Sequence, residues 1–146
     1  MEKGVRKAFD LPGRDIRTYS PLTLAFLGDA VYELAVRTVI VEQGSRPPKE
    51  LHLASSRLVK AETQSRMAEL MQEELTEEER TVYRRGRNAH PATTAKHATT
   101  GDYRRATGWE ALMGYLYLTG REERLLELIR QGWTRAQEGG AGEKNG

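Results

Sequence analysis

The 146 residues contain no cysteine, which excludes disulfides and thiolate-held metals and fits a reducing compartment. With only three histidines, a bound metal would have to be held mainly by oxygen, which favours hard ions such as Mg²⁺. No apolar run approaches the roughly 20 residues that span a bilayer. The opening MEKGVRKAFDLPGRD has no apolar stretch of the signal-peptide type. These absences predict a soluble, cytoplasmic chain with no membrane partner. No segment reads as a strand, and no internal repeat is visible.

What the chain does have is charge, at 30% of residues against 38% apolar, and it is unevenly spread. Residues 69–79 carry six acids and no base, whereas residues 84–105 carry six bases against the single acid Asp102. A basic segment of this kind is either an electrostatic footprint for phosphates or a solvated surface balanced elsewhere.

Helical signals run the length of the chain. Ser20-Pro21 reads as an N-cap and first helical position, opening an apolar helix to about Val41 with Gly44 as its stop. After Arg46-Pro47-Pro48 the pattern resumes from Lys49 to about Met71, with a break expected near 59–61. Thr76 and Glu79 form a capping-box pair for a helix toward Arg85. GRNAHPATTAKHATTG, residues 86–101, has no apolar stripe and reads as a long functional loop. Asp102 is placed to cap a helix ending at Gly120, and a last amphipathic helix spans about 121–136. The predicted fold class is an all-α helical bundle.

Two of these helices each carry an acid in apolar surroundings. LAFLGDAVYEL, residues 24–34, holds Asp29 beside Gly28, and ATGWEALMGYLYL, residues 106–118, holds Glu110 one turn before Gly114. Small residues let helix backbones approach, so a crossing at the two glycines would bring the carboxylates together. They would then repel unless a shared proton or a cation lay between them. The plainer alternative pairs Asp29 with Arg37, and Glu110 with Arg104 or Arg105, while Glu33–Arg37 makes an ordinary surface pair. Periodicity alone leaves both readings open.

The LAFLGDA stretch resembles the signature helix of the ribonuclease III family, of the type LEFLGDA. The stretch WEALMGYLYL resembles that family's second acidic motif, of the type DxxEALxGAxYL. Order, spacing and apolar context agree over about residues 20–135. RRGRNA and the Thr-rich segment after it are similar to the short bacterial branch, Mini-ribonuclease III, which lacks a double-stranded-RNA-binding domain. The resemblance implies an N-terminal extension over 1–19, a catalytic domain over 20–136 and a disordered polar tail over 137–146.

It further implies a metal-dependent endoribonuclease in which Asp29 and Glu110 are catalytic and hold Mg²⁺, with Mn²⁺ able to substitute. Glu33 and Thr107 become outer-shell candidates. Double-stranded RNA would be cut to 5′-phosphate products by a homodimer, in maturation of precursor 23S ribosomal RNA, with a ribosomal protein as a candidate presenter of the substrate. Phosphates and 2′-hydroxyls suit Arg84, Arg85, Arg87, Asn88, Thr93, Thr94, Lys96 and Arg104. Two family acids are absent: Ala25 and Thr107 stand in their places. The rival expectation is therefore a non-catalytic RNA- or ribosome-binding module on the same fold.

Overall fold

In a computed structural model, residues 1–89 and 100–145 are described. Among them the chain forms seven α-helices and no strand: α1 (Glu2–Ala8), α2 (Pro21–Glu42), α3 (Pro48–Val59), α4 (Ala61–Leu70), α5 (Glu77–Asn88), α6 (Thr100–Leu118) and α7 (Glu122–Asn145). None is long and apolar enough to cross a membrane.

The punctuation residues act where the sequence places them. The Ser20 hydroxyl accepts the Thr23 amide at 3.1 Å, with Pro21 opening α2. Lys60, extended at φ −65° and ψ 154°, breaks α3 from α4. Thr76 and Glu79 make both bonds of the capping box, and Gly120 takes the left-handed φ of 74° beyond α6.

Four differences have physical causes. Gly86 does not begin a loop, because α5 continues through it to Asn88. Its missing side chain is used for packing: a Cβ there would sit 2.9 Å from Gly108 Cα and 2.7 Å from Ala111 Cβ. Asp102 lies in the first turn of α6 instead of capping it, since the helix already includes Thr100. α7 passes Ala136 and runs to Asn145, because a helix already anchored by Ile129 and Trp133 extends at little cost per residue. Finally, the N-terminal residues 2–8 form α1, where Arg6 donates to the Leu118 carbonyl at 2.9 Å and ties α1 to the end of α6.

α6 is the centre of the bundle. It packs on α2, α5 and α4 and, less extensively, on α7, and it buries Trp109, Leu112, Met113 and Leu116 completely. Glycines set its two closest approaches. Gly114 meets α2 at Leu24 and Gly28, and Gly108 meets α5 at Tyr83 and Gly86. A Cβ on Gly28 would overlap the Glu110 carbonyl and lie 2.7 Å from the Gly114 nitrogen. Backbone on both sides cannot yield, so Gly28→Ala should cost about 3 kcal/mol or more in a urea titration. Gly4→Ala, facing open space, should cost nothing comparable.

The acid-rich segment is tied down by α7. Arg124 makes a forked pair with Glu79, at 2.8 and 2.9 Å, and also donates to the Glu74 carbonyl. Burial pushes the Glu79 carboxyl up, but hydrogen bonds from Arg124 and Thr76 hold it below its ordinary value. The pair therefore adds stability above the unfolded-state value near 4.5, and loses it as pH falls through the lower folded-state value. Arg124→Met should destabilise the protein by about 3 kcal/mol at pH 7, because Glu79 stays buried without its partner. The difference in thermal unfolding should shrink on acidification.

Candidate active site

The crossing of α2 and α6 brings Asp29 and Glu110 together. Gly28 and Gly114 remove the side chains that would hold the helices apart, and each acid sits within one turn of its glycine. The two carboxyls differ in setting. Asp29, expected in an apolar interior, is exposed, whereas Glu110 is only partly accessible. Burial first, then the hydrogen bond and negative charge of Asp29, push the Glu110 carboxyl up to about 8, while Gln64 pulls it the other way. The two acids thus face each other across the helix crossing.

Two of the three bases in the alternative pairing, Arg37 and Arg105, are engaged by other acids. Arg37 binds Glu33 at 2.7 Å, one turn along α2. Arg105 binds Glu69 at 2.9 Å, Asp102 at 3.3 Å and the Ser65 hydroxyl at 2.7 Å. Glu33 therefore presents an oxygen already engaged by Arg37, and Thr107 donates its hydroxyl back to the Tyr103 carbonyl at 2.9 Å.

The described basic residues, Arg84, Arg85, Arg87 and Arg104, lie on helices, because the Gly86–Gly108 contact keeps α5 helical to Asn88. Arg84, Arg85 and Asn88 are exposed on α5, and Arg104 is exposed on α6 one turn before Gly108. Arg87 stacks over the Tyr83 ring at 5.9 Å and donates to the Asn88 amide oxygen at 3.3 Å. Arg85 turns toward Arg17 and Tyr115, lining a cavity of about 340 Å³. Thr93, Thr94 and Lys96 lie outside the described residues.

A family model described as the Ribonuclease III domain matches residues 22–121. The chain belongs to the ribonuclease III family. It is 47% identical over 118 residues to the Mini-ribonuclease 3 of Brevibacillus brevis, covering 81% of this chain and 88% of that protein. It is 44% identical over 133 residues to the Mini-ribonuclease 3 of Enterococcus faecalis, covering 90% and 99%. A crystal structure of protein FN1578 from Fusobacterium nucleatum shares the fold with a TM-score of 0.73 at 35% identity, over 81% of this chain and 94% of that one. These relatives make the chain an endoribonuclease of the Mini-ribonuclease 3 branch.

In this ribonuclease III-family enzyme the two positions that depart from the longer motif are both buried, Ala25 in the core and Thr107 on α6. Among the described residues, no group of three or more His, Cys, Asp or Glu comes together. The Asp29–Glu110 pair nevertheless fits a hard divalent cation: both donors are oxygens, and the repulsion that raises Glu110 is what a cation relieves. With two carboxylates, such an ion would keep several waters.

Sequence reasoning missed Gln64 of α4, which hydrogen-bonds the Glu110 carboxyl, and Tyr32 of α2, which is buried within reach of its charge. Their only sequence signal was a polar group in a helix whose neighbours are core.

A carboxyl with a raised folded-state value stays protonated while its unfolded counterpart ionises. Glu110 therefore subtracts stability from the metal-free protein as pH rises from about 4.5, in full above about 8. Glu110→Gln should be the more stable form in EDTA at pH 8 to 9, by at most about 5 kcal/mol. The gain should vanish near pH 4 in thermal melts.

Proposed function

We propose that the protein cleaves double-stranded RNA with a divalent cation held by Asp29 and Glu110, Mg²⁺ in the first place with Mn²⁺ able to replace it. The observation that carries this is the pairing of the two acids at the glycine crossing of α2 and α6, inside the segment matched by the family. When bound, the cation supplies a Lewis acid for phosphoryl oxygens and a more acidic water. Asp29, at the open side, meets solvent and substrate first. Glu110 has to give up its proton on loading, which the Gln64 hydrogen bond favours and burial opposes.

The RNA face follows from where α5 ends. The Gly86–Gly108 contact fixes the last turn of α5 against α6 two residues before Glu110, and Arg84, Arg87 and Asn88 of α5, with Arg104 of α6, form the proposed RNA face. Guanidinium groups there suit phosphates and the amide suits 2′-hydroxyls, in keeping with A-form RNA being read by shape. Arg85, Thr93, Thr94 and Lys96 complete the proposed RNA-binding set.

The proposal includes a homodimer. Phe26 is 83% exposed and Leu34 51% exposed on the same helix as Asp29. Alongside them, Leu27, Val31, Leu126 and Trp133 line an apolar groove of about 610 Å³ between α2 and α7. Patches of this kind mark interfaces, and a second copy would cover it. The finer expectations of 5′-phosphate products, a role in maturing precursor 23S ribosomal RNA, presentation by a ribosomal protein and a cytoplasmic site of action belong to this same reading.

Long double-stranded RNA incubated with the protein and Mg²⁺ should be cut, and Asp29→Asn should lower the rate at least about a thousandfold while still binding RNA. Cleavage by the Asn variant at the native rate would sink the assignment. Arg84→Ala with Arg87→Ala should weaken RNA binding and reduce the slope of log K against log salt by about 1 to 2.

A further inference from the structure

Gln64 is 2% exposed and stands in the first turn of α4, just past the break at Lys60. A helix position this deep ordinarily takes an apolar residue, and Met67 and Ala68, one turn on, are fully buried. The amide here is tied on one side only. Its Nε2 donates to the Val59 carbonyl at 2.8 Å, at the end of α3. Its Oε1 is buried without a hydrogen-bond partner.

Next to it, the Tyr32 hydroxyl donates to the Leu58 carbonyl at 2.6 Å. Two adjacent carbonyls at the end of α3 are therefore tied by two buried side chains, and one of these, Gln64, also hydrogen-bonds the Glu110 carboxyl. If Gln64 served only to satisfy Val59, its unpartnered oxygen would be a cost of about 1–3 kcal/mol with nothing set against it. A buried polar group left half-satisfied beside a reacting carboxyl has a functional explanation open to it.

We propose that Gln64 is a positioning residue of this active site: anchored by the Val59 carbonyl, its amide holds the Glu110 carboxyl in the orientation that receives the cation. The unpartnered Oε1 is then an acceptor available to water in the filled site. The inference rests on the reading of Asp29 and Glu110 as cation ligands. It adds a neutral group, supplied by a third helix, to a donor set that is short of carboxylates. Groups that orient a ligand in this way are typically worth ten- to a hundredfold in metal affinity.

The test is Mn²⁺ binding to the full chain, followed by the paramagnetic resonance of free Mn²⁺, alongside RNA cleavage across a Mg²⁺ series. Gln64→Leu is expected to bind Mn²⁺ at least about tenfold more weakly. It should also need correspondingly more Mg²⁺, with RNA affinity unchanged and much of the rate recovered at saturating Mg²⁺. Gln64→Met, unbranched and of similar volume, repeats the measurement if the Leu variant does not fold.

Thr63→Val loosens the same α3–α4 junction by removing the bond from the Thr63 hydroxyl to the Arg57 carbonyl, and should lower the unfolding temperature while leaving Mn²⁺ affinity as it was. Native Mn²⁺ affinity in the Gln64 variants, or an equal loss in Thr63→Val, would show that Gln64 merely fastens α3 to α4. Asp29→Asn and Glu110→Gln separate the two levels. If they abolish Mn²⁺ binding and Gln64→Leu does not, the positioning role alone falls. If they too leave binding intact, the cation reading falls with it.

Discussion

Backbone touches backbone where α2 crosses α6, at Gly28 and Gly114, and the position of both acids depends on that contact. A methyl group at either glycine would collide with main-chain atoms of the other helix, and main chain inside a packed helix cannot step aside. Because the helices meet there, Glu110 is driven into partial burial while Asp29, one residue beyond Gly28, stays at the edge. The second pair of glycines, Gly86 and Gly108, repeats the device on the α5 side of α6 and sets the end of α5 near the acids. One central helix is thus clamped twice by missing side chains, and the site lies between the clamps.

The electrostatics follow from this packing. Burial first, and then the second carboxyl beside it, push the Glu110 carboxyl up to about 8. Arg37 is engaged by Glu33, and Arg105 by Glu69 and Asp102. Glu79 makes the contrast clear. It is buried too, yet it is held below its ordinary value because Arg124 supplies a forked pair of hydrogen bonds. One acid is held by a base and the other lies beside a second acid.

Much of the bundle was legible in local chemistry. Ser20-Pro21, the Thr76–Glu79 box, and Gly44 and Gly120 act within a turn of themselves, so a single sequence suffices to read them. Gly86 was misread for the same reason: locally it looks like a helix stop, and only its distant neighbour Gly108 makes it a packing residue. Short α1 carries too little apolar periodicity to announce itself, and it is tied in by Arg6 reaching Leu118, far away in the chain. Gln64 was overlooked because one Gln among Glu, Ser and Arg looks like any solvated helix face.

By itself the sequence determined that the chain is helical, where most helices start and stop, and that two apolar helices each carry one acid beside a glycine. Those are properties of residues a few positions apart. Only the tertiary structure decided which side of each helix is covered. Phe26 and Leu34 look like core in LAFLGDAVYEL and are exposed, while Asp29 looks buried and is open. A 3.6-residue period says which residues share a face, but not which neighbour lies against it. That is settled by contacts between residues some 80 positions apart, Gly28 on Gly114 above all.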